Sequence, residues 1–338
     1  AKVSTRPRLT PAVADLRRFT REALERHGVR TGDLVLVGCS GGPDSMALAN
    51  ALAFEGPKLG LRIGAVIVEH GLQEVTKTVA RETAAALAGL GFDPVRVVPV
   101  VVTGDGGPEA AARSARYQAI DEVAAELDAR YVLLAHNKND QAESVLLGLA
   151  RGSGARSLSG MAELTGRYLR PLLQVPRETT VAACDDAGIK FWSDPHNEDE
   201  QFTRVRVRQN LLPMMEEELG PGIVDALSRT SDQLREDADV LDQLAEQSYA
   251  KVFKATPRSL QAQVSSLLAL QPAIRYRVYR MAGNVFESHL HRSHVLEIDR
   301  LLTDWHGQKP LTLPGVRVER TGEIISFNST KNLKPGAC

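Results

Sequence analysis

Cysteine is scarce. The chain of 338 residues has three, Cys39, Cys184 and Cys338, and no two of them form a CxxC pair. That spacing offers no thiolate metal site and no adjacent redox pair, and it fits a reducing compartment, the cytoplasm. Long apolar runs are missing too. None reaches the roughly 18 residues that a membrane span requires, and the basic stretch from Ala1 to Arg18 lacks the apolar core of a signal peptide. No membrane partner is expected. Charge of either sign is not in excess, the formal net charge being −1. A global basic field is therefore excluded, and any nucleic-acid contact must come from local arginine clusters. There is no internal repeat or low-complexity tract. Two common phosphate-binding signatures, GxxxxGK[ST] and GxGxxG, are absent as well.

A different phosphate turn is present. Val35-Leu36-Val37-Gly38-Cys39-Ser40-Gly41-Gly42-Pro43-Asp44-Ser45 reads as a buried strand, a tight turn and a helix start. Leu34 to Val37 is a continuous apolar run, as in strands covered on both faces. Gly41 and Gly42 allow a sharp turn and close approach of a ligand. Pro43 suits the first helical position, and Leu48, Ala49, Leu52 and Ala53 follow at helical spacing. Free N–H groups at such a helix start favour an anion. Cys39 reads as a small packed residue rather than a nucleophile.

Strands and helices alternate along the first half. Apolar strands are expected at Ile63–Val68, Val95–Val102 and Tyr131–Ala135, and helices at Pro11–His27, Val75–Leu90, Glu109–Leu127, Asn139–Ala150 and Arg177–Ala187. This alternation predicts a doubly wound parallel α/β sheet. Ligands bind such sheets at the carboxyl ends of the strands, so Gly38–Ser45, Glu69–Gln73 and His136–Glu143 are expected to meet in one crevice. Asp194–Gln201 is an acidic loop. Ile223 to about Leu302 reads as helical throughout, broken at Pro257 and Pro272, and Leu311–Phe327 as a hairpin turning near Thr321-Gly322. The predicted organisation is a catalytic domain over residues 1–218 and a smaller, mainly helical domain over 219–338 that ends in the hairpin. Lys331 to Cys338 is expected to fray. His289, His291 and His294 lack common zinc spacing.

Ser40, Gly41, Gly42, Asp44 and Ser45 match the SGGxDS signature, so the chain resembles the PP-loop ATP pyrophosphatases (adenine nucleotide α-hydrolase-like), which cut ATP between the α and β phosphates. Further segments narrow the likeness. His136-Asn137-Lys138-Asn139-Asp140-Gln141-Ala142-Glu143-Ser144, then Arg151-Gly152-Ser153-Gly154, is similar to the HHxDDQxET…RGSG segment of the tRNA(Ile)-lysidine synthetase family. Glu109, Arg113, Arg116 and Tyr117 match its ExxAR..RY helix. Arg170-Pro171-Leu172-Leu173, Asp194-Pro195-His196-Asn197, and Arg204, Arg206, Arg208 with Leu212-Pro213 match its RPLL, DPxN and RxRxR…LLP segments. The likeness runs in order from about Leu34 to Glu218, with an echo at Leu313-Pro314-Gly315. The chain departs from the pattern at Asn139 (usually Asp), Asn137 (usually His), Glu69 (usually Asp) and Val205 (often Asn). The change at 139 keeps size and hydrogen bonding but loses a charge.

The resemblance implies ATP-dependent ligation of free L-lysine to the wobble cytidine of a CAU-anticodon isoleucine tRNA. It implies ATP binding by Cys39 to Ser45 with Val68 and His70, and Mg2+ held through the phosphates by Asp44. Asp44, His136, Asn139, Asp140 and Glu143 would form the catalytic set. Lysine would be held by Asp140, Glu143 and Arg208, and tRNA by Arg113, Arg116, Arg151, Arg204 and Arg206. Asp140 and Glu143, three apart, share a helical face and suit an amine. They also spell a helix capping box, and the two readings are compatible. Arg204, Arg206 and Arg208 at spacing two also fit one solvated strand face. Three other readings are a PP-loop tRNA thiolase, which needs paired cysteines, an amide-forming synthetase, which needs an ammonia-supplying domain, and a tRNA-binding homologue weakened by Asn139. The sequence does not set the oligomeric state, and a homodimer is carried as one expected assembly.

Overall fold

The computed structural model describes residues 9–69, 74–100, 108–152, 154–194, 198–256 and 259–330. The chain divides into two compact units, residues 1–233 and 234–338.

The first unit begins with α1 (Pro11–Arg26), which opens with Thr10 as cap and Pro11 in its first turn. There follow β1 (Leu34–Gly38), α2 (Pro43–Lys58), β2 (Arg62–Glu69), α3 (Glu74–Gly89), β3 (Val95–Pro99), α4 (Pro108–Glu126), β4 (Tyr131–Leu133) and α5 (Lys138–Ala150). The short α6 (Ala155–Leu158) leads to a pair of two-residue strands, β5 (Leu164–Thr165) and β6 (Tyr168–Leu169), and then α7 (Arg177–Ala187). The sheet order is β3-β2-β1-β4-β6-β5, parallel except for β5. The apolar run Leu34–Val37 is buried on both faces, as its composition predicts. Val35 and Val37 face a core built with Leu24, Leu48, Leu52 and Leu172, while Leu34 and Leu36 face Ile120, Val123 and Ala124 of α4. Each fully buried leucine contributes about 1.5–3 kcal/mol over an exposed one.

The arginine-rich segment is not a strand. It forms α8 (Thr203–Arg206), one wide π-helical turn over Val207–Leu211, and α9 (Leu212–Glu218). Val207 and Leu212 pack on Ala142 and Leu146 of α5, which places this segment against the helix that follows β4.

The long helix α10 (Ile223–Val252) runs through the division between the units. The second unit corrects the reading of an all-helical stretch. β7 (Phe253–Ala255) and β8 (Ser259–Gln263) interrupt the helices, and α11 (Val264–Leu268), α12 (Pro272–Asn284) and α13 (Arg292–Thr303) follow. The expected hairpin is present as β10 (Val316–Thr321) and β11 (Ile324–Ser329), turning at Gly322. With β9 (Leu311–Leu313) it completes an antiparallel sheet of order β7-β8-β11-β10-β9. Phe327 and Tyr279 centre its core, with Phe253 edge-on to Phe327 at 5.4 Å. One buried ion pair lies within: Arg275 Nε donates to Asp299 Oδ1 at 2.7 Å, and the Tyr276 and Tyr279 hydroxyls donate to the same carboxylate. The charges are therefore hydrogen-bonded, as burial demands.

Candidate active site

The strand order reverses direction between β1 and β4, so the loops leaving these two strands bound the crevice where such sheets take ligands. The loop after β1 is the glycine turn. Gly41 has φ +83°, a left-handed conformation that L side chains avoid. Its carbonyl accepts the Trp192 N–H at 2.9 Å. Ser45 is buried and braces the turn, its hydroxyl donating to the Gly42 carbonyl at 2.9 Å and accepting the Ser40 N–H at 3.2 Å. Ser40 stands exposed at the lip. Gly42 caps α2 with no side-chain hydrogen bond, and Pro43 occupies its first turn. The first N–H groups of α2 are thus left for an anion. Cys39 lies beneath, 3.4 Å from Ser45 Oγ, with its thiol pushed up by burial.

The loop after β4 leads into α5. The capping box expected here exists, but Asn137 is the cap rather than Asp140. Asn137 Oδ1 accepts the Asp140 N–H at 3.1 Å, and Asp140 Oδ2 accepts the Asn137 N–H at 3.0 Å. Asp140 Oδ1 remains, and two guanidiniums reach it: Arg177 Nη2 at 3.2 Å and Arg208 Nη2 at 3.4 Å. One turn on, Glu143 is fully buried and held from both oxygens by Arg208, at 2.6 and 3.1 Å, with Arg204 Nε 3.2 Å away. Burial, then the charge of Asp140, pushes Glu143 up, while Arg208 and Arg204 pull it back. The spacing of Arg204 and Arg208 explains their convergence: four apart on a helical segment, they share a side. Arg206 does not, and donates instead to the Glu200 and Gln201 carbonyls at the surface.

Arg177 ties the two loops together. Its Nη2 lies 3.8 Å from Asp44 Oδ2 as well as 3.2 Å from Asp140. Thr180, one turn along α7, donates its hydroxyl to Asp44. Burial, then the charge of Asp140, pushes Asp44 up, and Arg177 and Thr180 draw it down. Asn139 Oδ1 accepts the Arg177 N–H at 3.0 Å and so caps α7 from a neighbouring helix. The result is a balanced cluster of three carboxylates, Asp44, Asp140 and Glu143, against Arg177, Arg204 and Arg208. A cavity of about 390 Å3 opens beside it, lined among others by Lys138, Asn139, Glu178, Arg208, Glu216 and Asp225.

His136 sits at the edge of the cluster, its Nδ1 buried without a partner. Burial, helped by the charges of Arg170, Arg113 and Arg204 and opposed by Asp140, brings it down to about 4. It is a neutral imidazole at neutral pH. Val68 is the last residue but one of β2 and half-buried, and His70 lies outside the described residues. Arg113 and Arg116 stand on the exposed side of α4, and Arg151 ends α5. Among the described residues no group of three His, Cys, Asp or Glu is gathered that holds a metal by itself. Asp44, a single carboxylate beside a phosphate cradle, suits Mg2+, which takes its ligands mainly from phosphate and water. Arg177 and Thr180 were not among the residues expected from sequence. Arg177 opens a helix directly after Pro176, but only the fold brings it to Asp44.

The PP-loop domain family model matches residues 14–215. Relatives named tRNA(Ile)-lysidine synthase match nearly end to end. The one from Leifsonia xyli is 51% identical over 304 residues, covering 89% of this chain and 92% of its own. That from Thermobifida fusca is 52% identical over 320 residues, covering 93% and 97%, and that from Mycobacterium tuberculosis 44% over 300 residues, covering 88% and 89%. Among solved structures, a U34-tRNA thiolase from Methanococcus maripaludis superposes with a TM-score of 0.56 over 67% of this chain and 80% of its own, at 18% identity. At that identity the likeness concerns the fold.

Proposed function

The chain belongs to the tRNA(Ile)-lysidine synthase family of PP-loop proteins, and from that premise we propose how its residues divide an ATP-dependent ligation. The wobble cytidine of a CAU-anticodon isoleucine tRNA attacks the α-phosphorus of ATP through its ring carbonyl oxygen, and pyrophosphate leaves. The ε-amine of free L-lysine then attacks that ring carbon, AMP departs with the former carbonyl oxygen, and the amine loses its proton.

The turn from Ser40 to Ser45 cradles the phosphates with the N–H groups left open at the α2 N-terminus, Pro43 having none and the Ser40 N–H being held by Ser45. Asp44 would hold Mg2+, which neutralises phosphate charge during the first step. Lysine's amine, with a pKa near ~10.4, arrives protonated. Asp140, buried to 12% side-chain exposure with Arg177 and Arg208 on its Oδ1, suits the ammonium and the departing proton once that oxygen is released. Glu143, enclosed by Arg204 and Arg208, suits a different part: it fixes those guanidiniums rather than meeting lysine itself. Arg113, Arg116, Arg151 and Arg206 lie at the surface and are assigned to tRNA phosphates in this reading. The observation that carries the reading is the shared guanidinium of Arg177, which joins the activating turn to the amine-binding carboxylate within one cluster. Sulfur transfer is disfavoured. Cys39 and Cys184 are both buried, and burial followed by the charge of Asp44 pushes Cys184 up to about 12.

The test is incorporation of labelled lysine into a CAU-anticodon isoleucine tRNA transcript with ATP and Mg2+, beside a methionine tRNA of the same anticodon. Incorporation into the isoleucine tRNA alone is expected. Asp44→Ala is expected to cut pyrophosphate release on the order of a thousandfold or more. Pyrophosphate release without lysine incorporation would overturn the choice of nucleophile.

A further inference from the structure

The guanidinium of Arg177 stands between two carboxylates on the two loops of the site. Asp140 holds it at 3.2 Å and Asp44 at 3.8 Å, and Asp44 stands on the turn that receives phosphates. Its Nε is buried with no acceptor, so a donor is unspent. Its backbone cannot follow the side chain. Asn139 Oδ1 holds the N–H at 3.0 Å, and the residue is built into the first turn of α7. The side chain keeps partial exposure, 27%, and is the part free to turn. Phosphate offers a guanidinium two oxygens and more charge than a carboxylate does.

Asp140 is in the converse position. Its Oδ2 is fixed by the Asn137 N–H, while Oδ1 has Arg177 and, at 3.4 Å, Arg208. Arg208 makes its shorter bonds to Glu143. Removing Arg177 therefore leaves Oδ1 short of a cation at the position proposed for lysine's ammonium.

We propose that Arg177 is a positioning residue that exchanges Asp140 for the nucleotide's phosphates, so that ATP binding uncovers the carboxylate that takes lysine. The inference rests on the lysidine reading above and adds an order to it: nucleotide first, amine second. Coupling between two ligands is reciprocal, so lysine tightens nucleotide binding by the same factor.

The experiment is calorimetric titration of L-lysine into the full chain, with and without Mg2+ and α,β-methylene ATP. The nucleotide is expected to tighten lysine binding about fivefold or more, within the usual range of such couplings. In Arg177→Ala the factor is expected to fall to within about twofold, with lysine alone binding as tightly as it binds the nucleotide-loaded wild type. At saturating ATP this variant keeps the wild-type KM for lysine while pyrophosphate release slows, whereas loss of a merely structural contact would raise that KM. Arg177→Gln, which keeps an amide donor without the charge, is the second variant should the alanine fail to fold, and it is also expected to lose the coupling. Arg177→Lys retains a cation with a single-point donor and is expected to restore part of it. Equal lysine affinity with and without nucleotide in the wild type, or wild-type coupling in the alanine or glutamine variant, overturns the proposal. Absence of lysine incorporation by the wild type overturns the lysidine reading along with it, whereas incorporation with uncoupled binding overturns the Arg177 exchange alone.

Discussion

Replacing Gly41 or Gly42 by alanine separates two reasons for a glycine. Gly41 has φ +83°, and a Cβ there would lie 2.6 Å from Thr83 Oγ1 and 3.3 Å from Val79 Cγ1. Thr83 is itself buried, so it has little room to yield. The left-handed backbone costs about 1–2 kcal/mol for an L side chain, and overpacking adds about 1–3 kcal/mol. A loss near ~3 kcal/mol lowers the melting point of a unit this size by roughly 6–12 °C. Gly42 differs. Its φ is −75° and ψ 165°, and a Cβ would make only ordinary contacts, 3.5 Å from Ser40 Oγ and 3.8 Å from the Trp192 carbonyl. The fold should tolerate Gly42→Ala within about 1 kcal/mol. The added methyl stands where phosphates approach the helix start, and nucleotide affinity should drop at least about tenfold, or ~1.4 kcal/mol. Trp192 donates its N–H to Gly41, so its fluorescence in a Trp305→Phe background follows the first unit by itself. Wild-type melting of Gly41→Ala would refute the steric argument. Undiminished nucleotide binding by Gly42→Ala would refute the close approach.

Substitutions at two further residues follow from the same site. His136, at about 4 against 6.5 for a free imidazole, is neutral when folded, while the unfolded chain takes up a proton between those values. Its contribution to stability is thus present above pH 6.5 and lost as pH falls toward 4. Urea unfolding of His136→Gln at pH 7.5, 6 and 5 should show a flatter pH dependence than wild type, and an unchanged slope would contradict the assignment. Asn139→Ala removes the acceptor for the Arg177 N–H and should cost about 1 kcal/mol. Asn139→Asp keeps that acceptor at a helix N-terminus and should leave lysine incorporation within about threefold of wild type by order of magnitude. A rate gain well beyond that would mean that Asn139 marks a missing catalytic charge.

Buried parallel strands announce themselves in sequence because both faces are covered. Leu34–Val37 and Ile63–Val68 could hardly be anything else once helices flanked them. The glycine turn was legible for a related reason, since its residue types are demanded by backbone geometry and by the anion. Arg204, Arg206 and Arg208 misled because spacing two imitates a strand, whereas a wide helical turn sends two of them inward and one outward. β7 and β8 were hidden by brevity: three and five residues around Pro257 carry too little alternation to outweigh the helices on either side. Arg177 could not be read from its neighbours, because its partners lie 37 and 133 positions away. Asn139 was legible as a departure but not as a cap, which depends on where α7 begins.

Beneath the glycine turn lie two thiols that the chemistry does not use. Cys39 touches Ser45 Oγ and Met46 Sδ, at 3.4 and 3.6 Å, and Cys184 reaches the Pro43 carbonyl at 3.4 Å. Both are buried and held in the unreactive thiol form. An alkylating reagent meets either only when α2's first turn lifts from what surrounds it, so the labelling rate is the intrinsic rate scaled by the population of that opening. Each tenfold of protection then measures about 1.4 kcal/mol of local stability. The turn thus carries its own clock, and any ligand that seats on it will slow the ticking.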